Sequence, residues 1–322
     1  MSQHDNADSN AAPNTGANQP LDINGVRIEA TFAEAFDMKA TRVIITALDE
    51  IWAEHAAMAM SGFGTSVIDC KLEIDIERRL SPTQTPDGRP GIALLAFGMS
   101  GGELEKQITR RAGQCVLTCP TTALFAGINE DVPRDKRIAL GKTLRFFGDG
   151  NQISKVIDGK RFWRIPVMDG EFICQHDAPR TSGIGGGNFL LVARDIHAAS
   201  RAARAAIGAI ESMPDVITPF PGGVARSGSK IGSKYKSLIA STNDAFCPTL
   251  RGITDSQLGE GDNAVLEVVL DGLSFDAIAD AMRAGIQAAC TSCAEHGLVS
   301  ITAGNYGGKL GRHHFHLHEI LS

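Results

Sequence analysis

Apolar strand-like runs alternate with amphipathic helical segments along this chain, and this alternation constrains the fold more than any other feature. In the first half, RVIITA at 42–47 and GIALLAF at 91–97 are typical of strands, and helices are predicted over 49–60 and 102–112. Each helix follows one strand and precedes another, as in a β-α-β unit. Two such units in series predict a split, ferredoxin-like sandwich.

The second half repeats the same pattern at a larger scale. We expect strands at 186–193, 264–270 and 298–304, and helices over 196–213 and 274–293. These strands are rich in Val, Leu and Ile, as expected for strands that are buried beneath helices. The second half is therefore predicted to form a lobe of its own.

The length of the chain supports a division into two lobes. At 322 residues it exceeds the usual size of a single core. The GDGN run at 148–151 marks the expected boundary, with a first lobe over 21–148 and a second over 149–322. Residues 1–20 are rich in Asn, Ala, Asp and Pro and contain no large apolar residue apart from the initiator, so a disordered tail is expected there.

Some segments have weaker patterns than these. We predict a helix over 32–39 and strands over 65–77, 114–119, 140–147 and 215–220. Asn24-Gly25 and Asp169-Gly170 lie between apolar residues and predict hairpin turns. These elements would add strands to the sheets of both lobes.

Composition excludes several classes of protein. A net charge of −6 argues against a nonspecific nucleic-acid binder. Seven cysteines, an odd number without a disulfide-like spacing, fit a reducing compartment. No run of 18 apolar residues and no secretory leader are found, so we expect neither a membrane span nor export, and we expect a cytoplasmic location.

The stretch from 220 to 250, FPGGVARSGSKIGSKYKSLIASTNDAFCPTL, combines glycine with positive charge. Such a sequence permits close backbone approach to a ligand and suits phosphate or carboxylate groups. It is not a nucleotide-binding P-loop, because Gly228 is followed by Ser229 rather than by the required lysine. A solvated surface loop is the alternative interpretation.

A second glycine-rich segment resembles the first in its position after a strand. The first loop, 221–233, follows the strand predicted at 215–220, and the second loop, 304–311, follows the strand at 298–304. Loops at corresponding strand ends commonly line one cleft. The candidate substrate-binding residues are Phe220, Gly222, Gly223, Arg226, Ser227, Lys230, Asn243, Asp244 and Asn305.

The terminal HHFHLH segment is the main candidate for a metal site. If it is a strand, alternation places His314, His316 and His318 on one polar face, with Phe315 and Leu317 in the core. Three histidines in a straight line curve poorly around one ion. We therefore expect no metal.

Glu267 is the most conspicuous single residue, because apolar neighbours surround it in AVLEVVL. One interpretation is an edge strand with a partly wet face, which the pattern alone favours. The other is a carboxyl in apolar surroundings, where desolvation raises the pKa and keeps the acid neutral. A neutral acid can donate a hydrogen bond to a developing oxyanion.

The motifs taken together resemble those of the formylmethanofuran:tetrahydromethanopterin formyltransferase family. The resemblance runs from residue 23 to the end of the chain. It is carried by GFGTSVI (62–68), TPDGRPG (85–91), GQCVLT (113–118), FFGDG (146–150), GGNF (186–189), PFPGGVARSGSKIGSK (219–234), STNDAFCPT (241–249) and SITAGNYGGKLG (300–311).

The resemblance implies an α+β fold of two tightly packed lobes, each a ferredoxin-like α/β sandwich with a predominantly antiparallel sheet. The first lobe would be the proximal one, and the distal second lobe would carry the coenzyme cleft. It implies a homotetramer without a prosthetic group, which reversibly transfers a formyl group between the amine of methanofuran and a ring nitrogen of tetrahydromethanopterin. The key carboxylate of the family lies in a strand of the form E-[IV]-V-[IL]-x-G-L, here EVVLDGL, which assigns Glu267 the role of neutral acid.

The expected tail and the moderate charge content look like those of a methylotrophic bacterial member of the family. That resemblance implies formaldehyde oxidation to formate, with the other subunits of a formyltransferase/hydrolase complex as partners. One active site catalyses both directions of transfer, so the residues leave the direction open. The alternative function is a non-catalytic scaffold or coenzyme-binding subunit of the same complex.

Overall fold

The computed structural model describes residues 21–322 except Ser212, and the tail expected over 1–20 lies outside the described residues. The helices are α1 (Glu50–Ser61), α2 (Gly101–Arg111), α3 (Gly141–Leu144), α4 (Ile196–Ile210), α5 (Phe275–Cys293) and α6 (Leu317–Leu321). The four long helices, α1, α2, α4 and α5, follow the predicted pattern closely.

The strands are more numerous and more uneven in length than the helices. They are β1 (Leu21–Ile23), β2 (Val26–Ile28), β3 (Phe32–Thr46), β4 (Glu73–Leu80), β5 (Gly91–Gly98), β6 (Ala123–Ala126), β7 (Arg137–Ile138), β8 (Ile153–Ile157), β9 (Lys160–Val167), β10 (Gly170–Gln175), β11 (Ala178–Pro179), β12 (Thr181–Ala193), β13 (Val216–Ile217), β14 (Val224–Ala225), β15 (Ser229–Ile231), β16 (Ala240–Thr242), β17 (Ala264–Gly272), β18 (Leu298–Thr302) and β19 (His313–His316).

Polar residues fix the starts of three long helices. The side chains of Asp49, Ser100 and Asp195 accept hydrogen bonds from backbone N–H groups in the first turns of α1, α2 and α4. These bonds satisfy donors that a helix leaves unpaired at its N-terminus. The helices therefore begin where their capping residues lie in the sequence.

Most strands join one mixed sheet, in which antiparallel pairs dominate. The two longest strands, β3 and β12, pair with each other at its centre. On one side of this pair, β3 joins β5 and β6, and on the other side β12 joins β17 and β18. Two pairs are parallel, β10 with β6 and β18 with β2. This arrangement fits the predicted predominantly antiparallel sheet.

The helices cover the sheet in two separate places and form two main hydrophobic cores. The first core lies under α1 and α2, and the second lies under α4 and α5. Ile165 and Phe172 of the β9–β10 hairpin pack in the first core, although they follow the expected boundary after Gly148. Val26 and Ile28 of β2 pack in the second core. The chain thus exchanges short segments between the two cores.

Two of the weaker predictions are wrong because long-range pairing overrides local pattern. The segment 32–39 is the first part of strand β3 and not a helix, since β12 and β19 pair with it. The strand expected at 65–77 begins only at Glu73, where pairing with β5 starts. Both hairpin turns predicted at Asn24-Gly25 and Asp169-Gly170 are confirmed.

Three further strands were predicted in error or too long. Residues 112–116 continue α2 as a π-helical turn, so the strand at 114–119 does not form. The segment 140–147 forms α3 and a 3₁₀ turn, since its backbone N–H groups bond to carbonyls three or four residues earlier. The strand at 215–220 is limited to Val216–Ile217, because only these residues pair with β17 there.

Among the residues that the structure describes, no helix is long and apolar enough to cross a membrane.

Candidate active site

Strand β17 carries Glu267 on the face of the sheet that the helices leave open. Val268 and Leu270 are fully buried in the second core beneath α4 and α5. Because side chains alternate along a strand, Glu267 projects from the opposite face. β17 pairs with β12 on one side and with β13 and β14 on the other. The edge-strand interpretation is therefore wrong.

A row of cross-strand neighbours places Glu267 within the sheet. Ala225 of β14 and Leu190 of β12 lie directly opposite Glu267 on either side. Thr302 of β18 lies next in the row, opposite Leu190. Neighbouring strands are about 4.8 Å apart, so Thr302 lies about 10 Å from Glu267 across the sheet. Groups bound over this row lie within reach of the Glu267 carboxyl.

The Glu267 side chain lines a small pocket of about 40 Å³. Leu190, Val265 and Phe246 form apolar parts of its wall. This volume has room for a small polar group, since a cavity needs about 10–15 Å³ of such space to hold one water. The residue as a whole is half-buried because it faces this space. Protein nevertheless packs densely around its carboxyl, and the resulting desolvation raises the pKa of Glu267 to about 7.

No protein group among the described residues donates a hydrogen bond to the Glu267 carboxyl, and burial is the cause of its raised pKa. The first loop approaches it with a glycine. A Cβ atom at Gly228 would lie 3.1 Å from Oε2 of Glu267. The missing side chain of Gly228 thus allows the loop backbone to close over the carboxyl.

A second pocket of about 490 Å³ adjoins the Glu267 pocket, and Asn243 and Phe246 line both. Its walls carry the amide and hydroxyl groups of Gln257, Ser300 and Thr302 and the charged side chains of Arg27, Glu29 and Asp262. Amide and hydroxyl groups donate and accept hydrogen bonds, and the charged groups are of both signs. The pocket therefore suits a polar ring system or amide chain.

The structure brings only some of the predicted binding residues to these pockets. Arg226 and Asn243 line the Glu267 pocket, and Asn243 and Asn305 line the larger one. Lys230 forms an ion pair with Asp244, with 2.6 Å between Nζ and Oδ2.

The other predicted binding residues lie outside both pockets. Phe220, Gly222, Gly223 and Ser227 line neither of them. Gly222 and Gly223 have φ angles of 65° and 74°, and they form the turn that leads into β14. A side chain at Gly223 would collide with Ile207 of α4. These two glycines therefore shape the chain that precedes Arg226.

Sequence reasoning missed two residues that shape this face of the sheet. Glu34 of β3 is buried, and its carboxylate accepts hydrogen bonds from the second loop. Tyr306 of that loop packs near Phe36 of β3, with 6.0 Å between the ring centroids. An isolated glutamate in a strand was the signal available for Glu34, as for Glu267, but the helix predicted at 32–39 concealed it.

The terminal histidines do not form a line along one strand. β19 ends at His316, and His318 lies in α6, where its Nε2 lies 2.9 Å from the backbone oxygen of Ile28. Phe315 and Leu317 are buried as predicted. Within residues 21–322 as described, no group of three or more His, Cys, Asp or Glu side chains is arranged to hold a metal ion.

A larger cleft of about 1300 Å³ lies on the first core, away from Glu267. Its walls come from residues 105 and 128–179, and none of the predicted site residues lines it. Charged side chains of both signs line it, and Arg137 pairs there with Asp131 and Asp177. The buried carboxyl with a raised pKa makes the Glu267 face the better candidate for catalysis.

Two family models match the chain in succession. Residues 21–167 match the model described as formylmethanofuran-tetrahydromethanopterin formyltransferase. Residues 170–320 match a model described as the proximal lobe of the same family. In this family the name proximal lobe is therefore given to the C-terminal match, whereas we expected the N-terminal half to be the proximal lobe.

Individual relatives cover almost the whole chain. A formylmethanofuran–tetrahydromethanopterin formyltransferase from Rhodopirellula baltica is 64% identical over 94% of this chain and 93% of its own length. A crystal structure of the formyltransferase/hydrolase complex from Methylorubrum extorquens, with methylofuran bound, contains a chain with 47% identity and a TM-score of 0.91, covering 94% of this chain and 99% of that one. The formyltransferase from Methanosarcina barkeri has 45% identity and a TM-score of 0.87, over 93% of this chain and 100% of its own.

Proposed function

This chain belongs to the formylmethanofuran–tetrahydromethanopterin formyltransferase family, and on that premise we propose that Glu267 is the neutral acid that stabilises the oxyanion of formyl transfer. The enzyme moves a formyl group between methanofuran and tetrahydromethanopterin, its two coenzyme substrates. The observation that carries the proposal is the Glu267 carboxyl, buried against a small pocket with no protein donor and with its pKa raised to about 7.

The reaction needs a hydrogen-bond donor at the point where charge develops. A pterin nitrogen attacks the formyl carbon, a C–N bond forms, and the carbonyl electron pair moves onto oxygen. When this pair returns, the bond to the methanofuran nitrogen breaks, and the proton lost by the attacking nitrogen ends on the departing amine. A neutral Glu267 donates its O–H to the oxyanion between these steps, whereas an ionised carboxylate would repel it.

The two adjoining pockets offer places for both substrates. We assign the reacting formyl group to the small pocket beside Glu267 and the body of one coenzyme to the larger pocket. Asn243, which lines both pockets, and Asn305 are the predicted binding residues that this arrangement supports best. Arg226 lines the Glu267 pocket and is exposed, so it is suited to hold an acidic part of a coenzyme.

We extend the assembly of the relatives to this chain as part of the proposal. The relative from Methylorubrum extorquens is part of a formyltransferase/hydrolase complex. A homotetramer of this chain, joined to hydrolase subunits, would pass formylmethanofuran on for hydrolysis to formate. All seven cysteines are free thiols, which supports a reducing cytoplasm as the location.

The decisive experiment replaces Glu267 by Ala and by Gln and measures transfer between the purified coenzymes across pH. Loss of one oxyanion donor should lower kcat about 100- to 1000-fold in Glu267→Ala. The wild type requires the protonated carboxyl, so its activity should be full below pH 7 and should fall as the pH rises through about 7. In Glu267→Gln the amide still donates but does not titrate, so this decline should disappear.

Near wild-type transfer by Glu267→Ala would refute the assignment of Glu267. The alternative, a non-catalytic scaffold subunit, makes a different prediction. Transfer by the purified chain without partner subunits would exclude it. If activity requires the partners, Glu267→Ala in the reconstituted complex decides, because a pure scaffold would leave the transfer rate unchanged.

A further inference from the structure

Asn188 of β12 is a buried polar residue on the same face of the sheet as Glu267. It precedes Leu190, the direct neighbour of Glu267 across the strands, by two residues. Side chains two residues apart in a strand share a face. Asn188 is only 6% exposed and lines neither of the two pockets at this face. A polar side chain buried in this way needs hydrogen-bond partners in the protein.

The partners of Asn188 are backbone groups of two glycines. Its Nδ2 donates to the backbone oxygens of Gly186 and Gly304, both at 3.1 Å, and its Oδ1 accepts from the backbone N–H of Gly304 at 2.6 Å. The carboxamide thus exchanges two hydrogen bonds with Gly304, as a residue of a paired strand would.

These bonds lie where the backbone ladders of β12 are interrupted. The ladder between β12 and β18 ends at the pair of Leu190 with Thr302, two residues before Gly304. A register shift in β12 leaves Gly186 without a partner residue in β17. The Asn188 side chain therefore extends the contact between β12 and the chain that follows β18 beyond the end of the ladder.

The second loop begins at Gly304, and its first two residues form part of the wall of the larger pocket. Gly304 and Asn305 both line that pocket. The Asn305 side chain donates to Oγ1 of Thr31 and to the backbone oxygen of Phe32, each at 3.3 Å, and accepts from the N–H of Gly307 at 3.1 Å. The placement of this wall therefore depends on where the chain leaves β18.

Two anchors hold different parts of the second loop. The Glu34 carboxylate accepts hydrogen bonds from backbone N–H groups between Tyr306 and Gly311. Gly304 precedes this segment, and besides Asn188 its backbone oxygen accepts only a longer bond of 3.2 Å from the backbone N–H of Glu34, within the part of the chain that the structure describes. Asn188 is thus the main contact of the start of the loop.

We propose that Asn188 is a positioning residue for coenzyme binding, because it fixes Gly304 so that Gly304 and Asn305 form one wall of the larger pocket. The inference rests on the proposed function, which assigns the body of one coenzyme to that pocket. Asn188 itself does not touch the coenzyme. Its loss should weaken the binding of the coenzyme that occupies the larger pocket and leave the binding of the other one unchanged.

The main test is Asn188→Ala, with the Kd of methanofuran and of tetrahydromethanopterin each measured by isothermal titration calorimetry. Loss of the bonds that fix Gly304 should raise the Kd of one coenzyme about five- to twentyfold and leave the Kd of the other within about twofold. An asparagine that only stabilises the fold would leave both Kd values of the folded protein unchanged. Two unchanged values, or an equal rise in both, would overturn the proposal.

Asn188→Asp keeps the shape of the side chain but removes its donors. The carboxylate can still accept from the N–H of Gly304, but it faces the oxygens of Gly186 and Gly304 without a proton to share. The Kd of the same coenzyme should therefore rise at least as much as in Asn188→Ala. Wild-type affinity in Asn188→Asp would show that the amide is not needed. If Asn188→Asp does not fold, Asn188→Ala decides.

Asn305→Ala tests whether Asn188 acts through the second loop. Asn305 is exposed, so this variant should fold, and it should raise the Kd of the same coenzyme. In the double variant Asn188→Ala/Asn305→Ala the two rises should not multiply, because both changes disturb the same wall. Multiplied rises, or a rise for the other coenzyme in Asn305→Ala, would contradict this route.

Amide hydrogen exchange locates the change within the loop. In Asn188→Ala the N–H of Gly304 should exchange at least about tenfold faster than in the wild type, since its acceptor is gone. The N–H of Gly311, which Glu34 holds, should exchange as slowly as before. Unchanged exchange at Gly304 would mean that Asn188 does not fix the start of the loop.

Asn151 provides a matched control. Its Nδ2 also donates to the backbone oxygen of a glycine, Gly148, at 3.3 Å, but it lines neither pocket. Asn151→Ala should keep both wild-type Kd values. A change in Asn151→Ala as large as that in Asn188→Ala would mean that the loss of any such amide perturbs binding, and would overturn the specific role of Asn188.

The measurements separate this inference from the proposed function of Glu267, because each Kd is measured with one coenzyme and without turnover. If Glu267→Ala remains active but Asn188→Ala binds one coenzyme more weakly, only the role of Glu267 fails. If Glu267→Ala is inactive and Asn188→Ala binds both coenzymes as the wild type does, only the role of Asn188 fails.

Discussion

The two glycine-rich loops that flank Glu267 are held by different kinds of contact. The second loop, 304–311, is folded around the buried carboxylate of Glu34. The first loop, 221–233, runs into the hairpin of β15 and β16, which is a separate two-stranded sheet. The outer part of this hairpin, residues 230–239, is largely exposed, and the ion pair of Lys230 with Asp244 lies at the surface.

This difference predicts different mechanical roles for the loops. A hydrogen bond to a charged group contributes about 1.5–3 kcal/mol, and the second loop has four to one buried carboxylate. Exposed ion pairs contribute little. We therefore expect the second loop to be rigid. We expect the first loop to be flexible and to adjust to the bound coenzymes.

Gly311→Ala should disrupt the packing of the rigid second loop and have the largest effect. A Cβ atom at Gly311 would collide with the backbone oxygen of Ala35 and lie 2.9 Å from Cγ of Glu34. Because backbone cannot move aside cheaply, the free energy of unfolding should fall by about 1–3 kcal/mol. The kcat of transfer should fall about 100-fold as the loop shifts Asn305 at the larger pocket. Urea unfolding and steady-state kinetics measure both quantities.

The control is Gly208→Ala on the exposed side of α4, where an added Cβ meets no atom within 4 Å. Alanine is the better helix former, so this variant should be as stable as the wild type or slightly more so. If Gly311→Ala is as stable and as fast as the control, the second loop is not rigid.

Gly228→Ala tests the flexibility of the first loop and should have an intermediate effect. The added Cβ would lie 3.1 Å from Oε2 of Glu267 and 3.9 Å from Cβ of Asn243, so one neighbour must move by a few tenths of an ångström. If the loop yields, the stability of the fold should stay within about 0.5 kcal/mol of the wild type. The shifted contact beside Glu267 should still lower kcat about tenfold.

A destabilisation of Gly228→Ala as large as that of Gly311→Ala would show that both loops are rigid. An unchanged kcat would show that Gly228 is not needed at the carboxyl. The two variants therefore measure separately how firmly each loop is held and how closely each one supports catalysis.

The same two loops show how far the sequence predicts the structure. Local patterns suffice for α1, α4, α5 and β17, whose apolar spacing lies within the element itself. The caps of α1 and α4, Asp49 and Asp195, directly precede their helices. Local patterns also suffice for noticing Glu267, because its apolar neighbours are adjacent in the sequence.

Contacts between distant parts of the chain cannot be predicted in this way. The partners of Glu34 are 272–277 residues away, and without them its segment FAEAFDMK has the spacing of a helix. The same distance hides the place of Tyr306. The position of the second loop depends on one buried charge, which the local pattern presents as part of a helix.

The smallest effect is expected from removing a cation of the first loop, and two variants make a matched pair. Lys230 is paired with Asp244, and this contact lowers the pKa of that carboxyl. Arg226 lines the Glu267 pocket and forms no ion pair with any residue that the structure describes.

If the first loop holds an acidic part of a coenzyme, the unpaired cation Arg226 should bind it. Arg226→Met should therefore raise the KM of that coenzyme by about three- to tenfold at low salt, and less at high salt, because salt screens exposed charges. Lys230→Met should change it less than about twofold, since its charge already faces a carboxylate. Steady-state kinetics at two salt concentrations distinguish them, and a larger effect at Lys230 would mean that its pairing with Asp244 gives way when the coenzyme binds.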